Sequence, residues 1–291
     1  MGREINPVPV SGVQFNERRL TVEEGVSLRL YDWRPENDNG ADPILFVAGW
    51  ISLVTGWVLL LEKLVRTRQV YYLETREKES AEISPDLMRP SSFLVARLAE
   101  DLIEVSNQLG LDPDRTVLFG SSMGSNAILE ALKGDRLQAK AAFVVGPNAE
   151  FHFPWWGRPL VHLPPRVYSA AKPFVLWYLR TFRVNTREDP EQMARYVRTV
   201  RAADPERIML SARAVIDYDA TPGLDTISSP VAVAYAANDT LHGEEEVQRI
   251  VDAMPRGVAV KCPSNTYMHT AEVVHDLDRF LAGSTEAMEH R

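Results

Sequence analysis

The sequence predicts an α/β fold: a mostly parallel central sheet flanked by helices, interrupted by an inserted helical cap. Short apolar runs alternate with longer segments of helical period over most of the 291 residues, the pattern of parallel strands joined by crossover helices. Between residues 150 and about 224 the alternation stops. There Pro, Trp and Tyr accumulate, and helical patterns follow one another without a strand. The reading is a core of residues 1–149 and 225–291 and a cap of residues 150–224.

Each element has its own signal. SLRLYDWRP (27–35) alternates apolar and polar residues like a half-exposed strand, whereas PILFVAG (43–49) is the continuous apolar run of a strand covered on both faces. A helix is expected from about Thr55 to Arg66 and a strand in QVYYLET (69–75). Pro90, Ser91 and Ser92 open a long helix with Leu94, Leu98, Leu102, Val105 and Leu109 on one stripe, and Gly110 ends it. RTVLFG (115–120) predicts a strand, SNAILEALKG (125–134) a helix and KAAFVVG (140–146) a further strand. Cap helices are expected around 166–183, 188–203 and 204–215. The rhythm returns with a strand in SPVAVAYAAND (229–239), a helix in EEEVQRIVDAM (244–254), a strand in VAVKC (258–262) and a closing helix from about Thr270 to Leu281.

Composition excludes several function classes. A formal net charge of −8 argues against nucleic-acid binding, which needs a basic face to displace counterions from phosphates. The single cysteine, Cys262, cannot form an intrachain disulfide, and no cysteine and histidine cluster has zinc-ligand spacing. A reducing, cytoplasmic setting without metal or cofactor is the expectation. MGREINPVPV lacks the apolar stretch of a signal peptide, and WVLLLEKLV (57–65) is far short of the roughly 20 residues a spanning helix needs.

Chemistry concentrates in Gly120-Ser121-Ser122-Met123-Gly124, a G-x-S-x-G pattern between a predicted strand and a predicted helix. Glycines two residues either side of Ser122 remove side chains that would clash in a sharp turn. The helix N-terminus offers free N–H groups to a developing oxyanion. By this geometry Ser122 projects from the turn and Ser121 packs toward the sheet. VLFGSSMGSNAILEAL resembles the nucleophile elbow of the α/β-hydrolase family, and the segments around it fall in that family's order over nearly the whole chain.

The resemblance implies a catalytic triad in the order Ser, acid, His. Asp239, in YAANDTLHG after an apolar strand, and His269, in NTYMHTAEVVHDL before the last helix, match the positions of acid and base. His242 and His275 are weaker rivals as base, and Glu150, Asp217 and Asp219 as acid. The oxyanion hole would combine the N–H of Met123 with that of Trp50, in the loop after FVAG. Here Ala48-Gly49-Trp50-Ile51 departs from the His-Gly pair common in relatives, and Gly49 still permits close backbone approach. A second departure is the highly charged Glu74-Thr75-Arg76-Glu77-Lys78-Glu79-Ser80, where relatives carry a glycine-containing turn; this is expected to be a structural, ion-paired loop.

Residues 151–187 carry six Arg and Lys side chains and no Asp or Glu, interleaved with aromatic residues. Trp155, Trp156 and Trp177 are the candidates for lining an apolar substrate site. The same mixture suits weak contact with an anionic membrane surface. The expected activity is that of a serine hydrolase cleaving a carboxylic ester or thioester with an apolar acyl or aromatic group. Carbon–carbon hydrolysis, amidase or peptidase activity, and a non-catalytic binding role stay open alternatives, as does the oligomeric state.

Overall fold

In a computed structural model, described here for residues 6–37, 40–151, 162, 165–183, 190–236 and 244–283, one mixed sheet organises the chain. Its strands are β1 (Val13–Glu23), β2 (Val26–Pro35), β3 (Ile44–Val47), β4 (Val70–Leu73), β5 (Glu82–Ile83), β6 (Val117–Ser121), β7 (Ala141–Val145), β8 (Val231–Ala236) and β9 (Gly257–Cys262). The order is β1-β2-β4-β3-β6-β7-β8-β9, with β5 paired to β2. Strands from β4 to β9 along this order are parallel, and β2 is antiparallel to both β1 and β4.

The apolar runs lie where their sequence requires. In β3, Leu45 and Val47 face one core while Ile44 and Phe46 face the other, all buried. The first core receives α2 (Val95–Leu109), α3 (Met123–Leu132) and α7 (Glu244–Asp252); the second receives α1 (Val58–Leu64) and α8 (Val273–Leu281). A strand buried on both faces has no polar side to present, which is why it reads as an unbroken apolar run.

Four details differ from the sequence expectations. Strand β2, expected to be half-exposed, is buried over most of its length with only Arg34 exposed. The hairpin strand β1 was not anticipated. The long helix starts at Val95, after a 3₁₀ turn at Pro90–Phe93, and leaves Leu94 43% exposed instead of on the buried stripe. Helix α3 begins at Met123, two residues earlier than Ser125, directly at the serine turn.

Between β7 and β8 the chain forms α4 (Pro165–Tyr178) with a π-helical end (Leu179–Arg183), α5 (Pro190–Ala202) and α6 (Pro205–Val215). Glu150 and Asp219 form an isolated antiparallel bridge, and Ala220 N–H donates to the Ala149 oxygen at 2.8 Å. The helical segment thus leaves and rejoins the sheet layer at neighbouring points. Among the described residues no helix is long and apolar enough to cross a membrane.

Candidate functional site

β4 and β6 flank β3 on opposite sides, although they follow it in sequence. Such a reversal opens a crevice at the carboxyl ends of parallel strands. The parallel register pairs Val47 with Gly120, so the loop after β3 and the turn after β6 emerge side by side.

Ser122 occupies that turn with φ +49° and ψ −119°. Positive φ is uncommon for a residue with a Cβ and marks backbone held in place by its surroundings. The restraints are explicit. Ser122 N–H donates to the Val145 oxygen at 2.8 Å, Asn126 N–H to the Ser122 oxygen at 3.1 Å, and the Ser125 hydroxyl to the Val145 oxygen at 3.0 Å. Both motif glycines are sterically required. A Cβ on Gly124 would collide with the Val47 oxygen and lie 2.7 Å from the Ala48 oxygen; one on Gly120 would lie 3.0 Å from the Ser125 Cα. Ser121 is 7% exposed and Ser122 is half-buried.

The loop after β3 approaches the serine turn from the other side. A Cβ on Gly49 would stand 3.1 Å from the Ser121 oxygen and 3.2 Å from the Ser122 Cβ, so this glycine permits the contact. Met123 opens α3, where the first N–H groups have no intrahelical acceptor. The Trp50 N–H has no hydrogen-bond acceptor among the described residues. The Trp50 indole donates to the Ser211 hydroxyl at 2.9 Å, tying the loop to α6.

His269 ends a 3₁₀ turn (Tyr267–His269) beyond β9. Its Nδ1 lies 2.9 Å from the Asn265 carbonyl oxygen. A carbonyl only accepts, so in this contact the imidazole donates from Nδ1. Trp57 stacks on the imidazole with ring centroids 4.1 Å apart. Asp239 lies outside the described residues; β8 ends at Ala236, paired with Cys262 at the end of β9.

Ser122, His269, Gly49 and Trp50 all line one cavity of about 640 Å³. Its other walls come from α4 (Val175, Tyr178), α5 (Tyr196, Val200) and α6 (Ile208). Trp177 does not line it: the side chain is 52% exposed, beside Phe174 at 5.5 Å between centroids. The turn of α4 that presents Val175 and Tyr178 to the cavity carries Trp177 outward. Trp155 and Trp156, like the rival base His242, lie outside the described residues.

The remaining rivals differ in where they lie. His275 is exposed on α8. For Asp219 burial raises the pKa, but the backbone and hydroxyl hydrogen bonds from Thr221, with the Arg249 and Lys133 charges, together bring it below the usual carboxylate value. Glu150 does line the cavity and is ion-paired with Arg249 at 3.3 Å. The charged loop after β4 is ion-paired as expected but buried: Arg76 is 0% exposed and binds Asp101 at 2.5 and 2.6 Å.

Four further residues border the site, and of these only Lys78 belongs to a feature singled out in the sequence, the charged run after β4. Asn148 Nδ2 donates to the Ser122 hydroxyl at 3.4 Å, and Asn148 is itself held by Asn126 through bonds of 2.6 and 3.0 Å. Trp57 supports His269, and Arg195 donates to the Asn265 side chain at 2.7 Å. Lys78 reaches the Gly49 oxygen at 2.7 Å. Among the described residues no group of acidic, histidine or cysteine side chains could hold a metal ion.

No protein-family profile and no curated protein sequence matches the chain. Solved structures match over nearly its full length. A hydrolase from Pseudomonas aeruginosa aligns at TM-score 0.67 with 16% identity, covering 92% of this chain and 99% of the other. The enol-lactonase from Burkholderia xenovorans aligns at 0.69 with 18% identity, covering 90% and 96%. A thermophilic esterase from Thermogutta terrifontis aligns at 0.68 with 19% identity, covering 92% and 99%. With the sheet order and flanking helices, these likenesses give the chain the α/β-hydrolase fold.

Proposed function

We propose that the protein is a serine hydrolase that cleaves a carboxylic ester or thioester bearing an apolar acyl or aromatic group. The observation that carries this reading is the backbone of Ser122. A non-glycine residue at φ +49°, fixed between two sterically required glycines at the head of α3, presents its hydroxyl to a cavity whose lining is mostly apolar but also includes Glu150, Arg195, Arg198 and Glu246. Positive φ at a residue with a Cβ carries strain of the kind that clusters at active sites.

In the proposed reaction His269 Nε2 takes the Ser122 proton as Oγ attacks the carbonyl carbon, and the N–H groups of Met123 and Trp50 receive the oxyanion. Collapse expels the alcohol or thiol with the proton from His269. Water then repeats the sequence on the acyl-enzyme and releases the acid. Asp239, which follows β8 in the sequence and lies outside the described residues, is the acid we assign to the imidazolium. The segment 150–224 acts as a cap whose helices supply the apolar walls that receive the acyl or aromatic group.

The test is Ser122→Ala, assayed on p-nitrophenyl esters of increasing acyl length with circular dichroism to verify folding. Turnover falls by at least about a thousandfold if Ser122 is the nucleophile, since removing a triad member leaves only binding and oxyanion effects. Undiminished turnover in the folded variant refutes the assignment.

A further inference from the structure

The charged loop after β4 contains a lysine that is almost wholly enclosed. Lys78 has a side chain 5% exposed, and neighbouring Glu77 has one 1% exposed. Burying an ammonium is costly unless each of its protons finds an acceptor. All three do: Lys78 Nζ lies 2.6 Å from Glu77 Oε1, 2.7 Å from the Gly49 oxygen and 3.4 Å from the Thr75 hydroxyl. Thr75 in turn donates to Glu77 Oε1 at 2.7 Å. Arg207 of α6 braces the loop by donating to the carbonyl oxygens of Arg76, Lys78 and Ala81.

The Gly49 contact has a directional consequence. No peptide bond among the described residues is cis, and in a trans peptide the C=O and the next N–H point in opposite directions. Lys78 Nζ and Ser52 N–H, at 2.7 and 3.0 Å, both draw the Gly49 oxygen to one side. The Trp50 N–H is thereby turned to the other. Ile51 and Leu53 of this loop line both the cavity of Ser122 and a second cavity bordered by Glu77 and Lys78, so the loop is the wall between them. Lys78 stands on the far side of that wall and Ser122 on the near side. Ile51 at φ +51° shows the turn is strained, and strained turns keep their shape only while their neighbours hold them.

We infer that Lys78, anchored by Glu77, is a positioning residue that fixes the Gly49–Trp50 peptide and so aims the Trp50 N–H at the oxyanion. This rests on the serine-hydrolase reading of Ser122. Lys78 touches no substrate; it acts through one peptide plane, and its effect is confined to the charge that develops in the transition state.

Removing Lys78 alone would leave Glu77 buried and unpaired, so the test neutralises both partners. Glu77→Gln with Lys78→Met keeps the volume and loses the donor to Gly49; Glu77→Gln with Lys78→Gln keeps an N–H donor. Steady-state kinetics on a p-nitrophenyl ester, with thermal melts, compare the two. The expected result is a kcat about tenfold to a hundredfold lower for the methionine variant than for the glutamine variant, with KM unchanged within about twofold, since one oxyanion donor is worth about 10²–10³ in kcat. Equal kcat in the two folded variants, or a loss residing in KM, overturns the positioning role. A Ser122→Ala protein that retains turnover instead overturns the underlying reading, so the two failures are distinguishable.

Discussion

The indole of Trp57 lies over the imidazole of His269 at 4.1 Å between ring centroids and 22° between planes. Trp57 is itself immobilised: its Nε1–H donates to the Ser52 hydroxyl at 2.9 Å, and its ring meets Phe46 edge-on at 4.9 Å. The imidazole is therefore clamped between a fixed aromatic face and the Asn265 carbonyl. In the proposed mechanism this face is also where positive charge appears when His269 takes the serine proton, and an aromatic face attracts a cation.

Trp57→Leu is expected to lower kcat/KM by about threefold to thirtyfold, the range corresponding to a partly desolvated cation–π contact. Trp57→Phe, which keeps a ring over His269, is expected to lose less. Both variants also lose core packing, because Trp57 is 1% exposed. Kinetics are therefore measured well below each variant's melting temperature. Equal kcat/KM for the Leu and Phe variants would remove the stacking role.

What was legible in the sequence was what depends on local pattern. The strand and helix order follows from apolar period, and the elbow from five contiguous residues whose glycines answer to contacts within the same strand–turn–helix unit or with adjacent β3. The fixing of His269 was not legible, because Trp57 belongs to α1's approach and reaches it only through the fold. The same holds for Lys78 and Gly49, 29 residues apart, and for Arg76 and Asp101, 25 apart. A run of charges ordinarily signals a solvated face; only the packing of Asp101 from α2 and Arg207 from α6 against the loop shows that Arg76 and Lys78 are buried and paired. Strand β1 was missed because, as an edge strand, it alternates half-buried with exposed residues and contains Asn16, Glu17, Arg18 and Arg19. An amphipathic helix pattern identifies two faces without saying which one meets the cavity, so the sequence alone does not put Trp177 on the outer face of α4.

Cys262, at the end of β9, is 3% exposed, and burial followed by the nearby Asp276 carboxylate pushes its thiol pKa up from 9.0 to about 12. The thiolate is the reactive form, so the folded protein is expected to resist Ellman's reagent at pH 8 and to react with one equivalent in denaturant. The sign of the stability effect follows from linkage. The unfolded chain loses this proton above about pH 9 and the folded protein keeps it, so the stabilisation is complete below pH 9 and is lost as pH rises toward about 12. Tyr72, Tyr218 and Tyr267, all raised chiefly by burial, contribute in the same direction above pH 10. Urea midpoints at pH 8 and pH 10.5 should therefore differ less in Cys262→Ala than in the parent. An unchanged difference would mean the thiol is not the titrating group.

Arg76 offers the sharpest separation of structural from chemical roles. Its guanidinium is enclosed between β4 and α2, bound to both Asp101 oxygens, to Glu23 at 3.0 Å and to the Ser92 carbonyl at 3.3 Å, and it lines neither cavity. A buried pair with this geometry is costly to break from one side and inexpensive to replace as a whole, because the cost lies in the stranded charge. Asp101→Ala is expected to destabilise the fold by about 3–5 kcal/mol. Arg76→Met combined with Asp101→Leu is expected to recover most of that loss in urea titrations, leaving Glu23, which is partly solvated, to bind water. Per folded molecule, kcat and KM on an ester substrate should stay within about twofold of the parent in the double variant. A large rise in KM at full folding would instead place Arg76 in substrate binding, against its position outside both cavities.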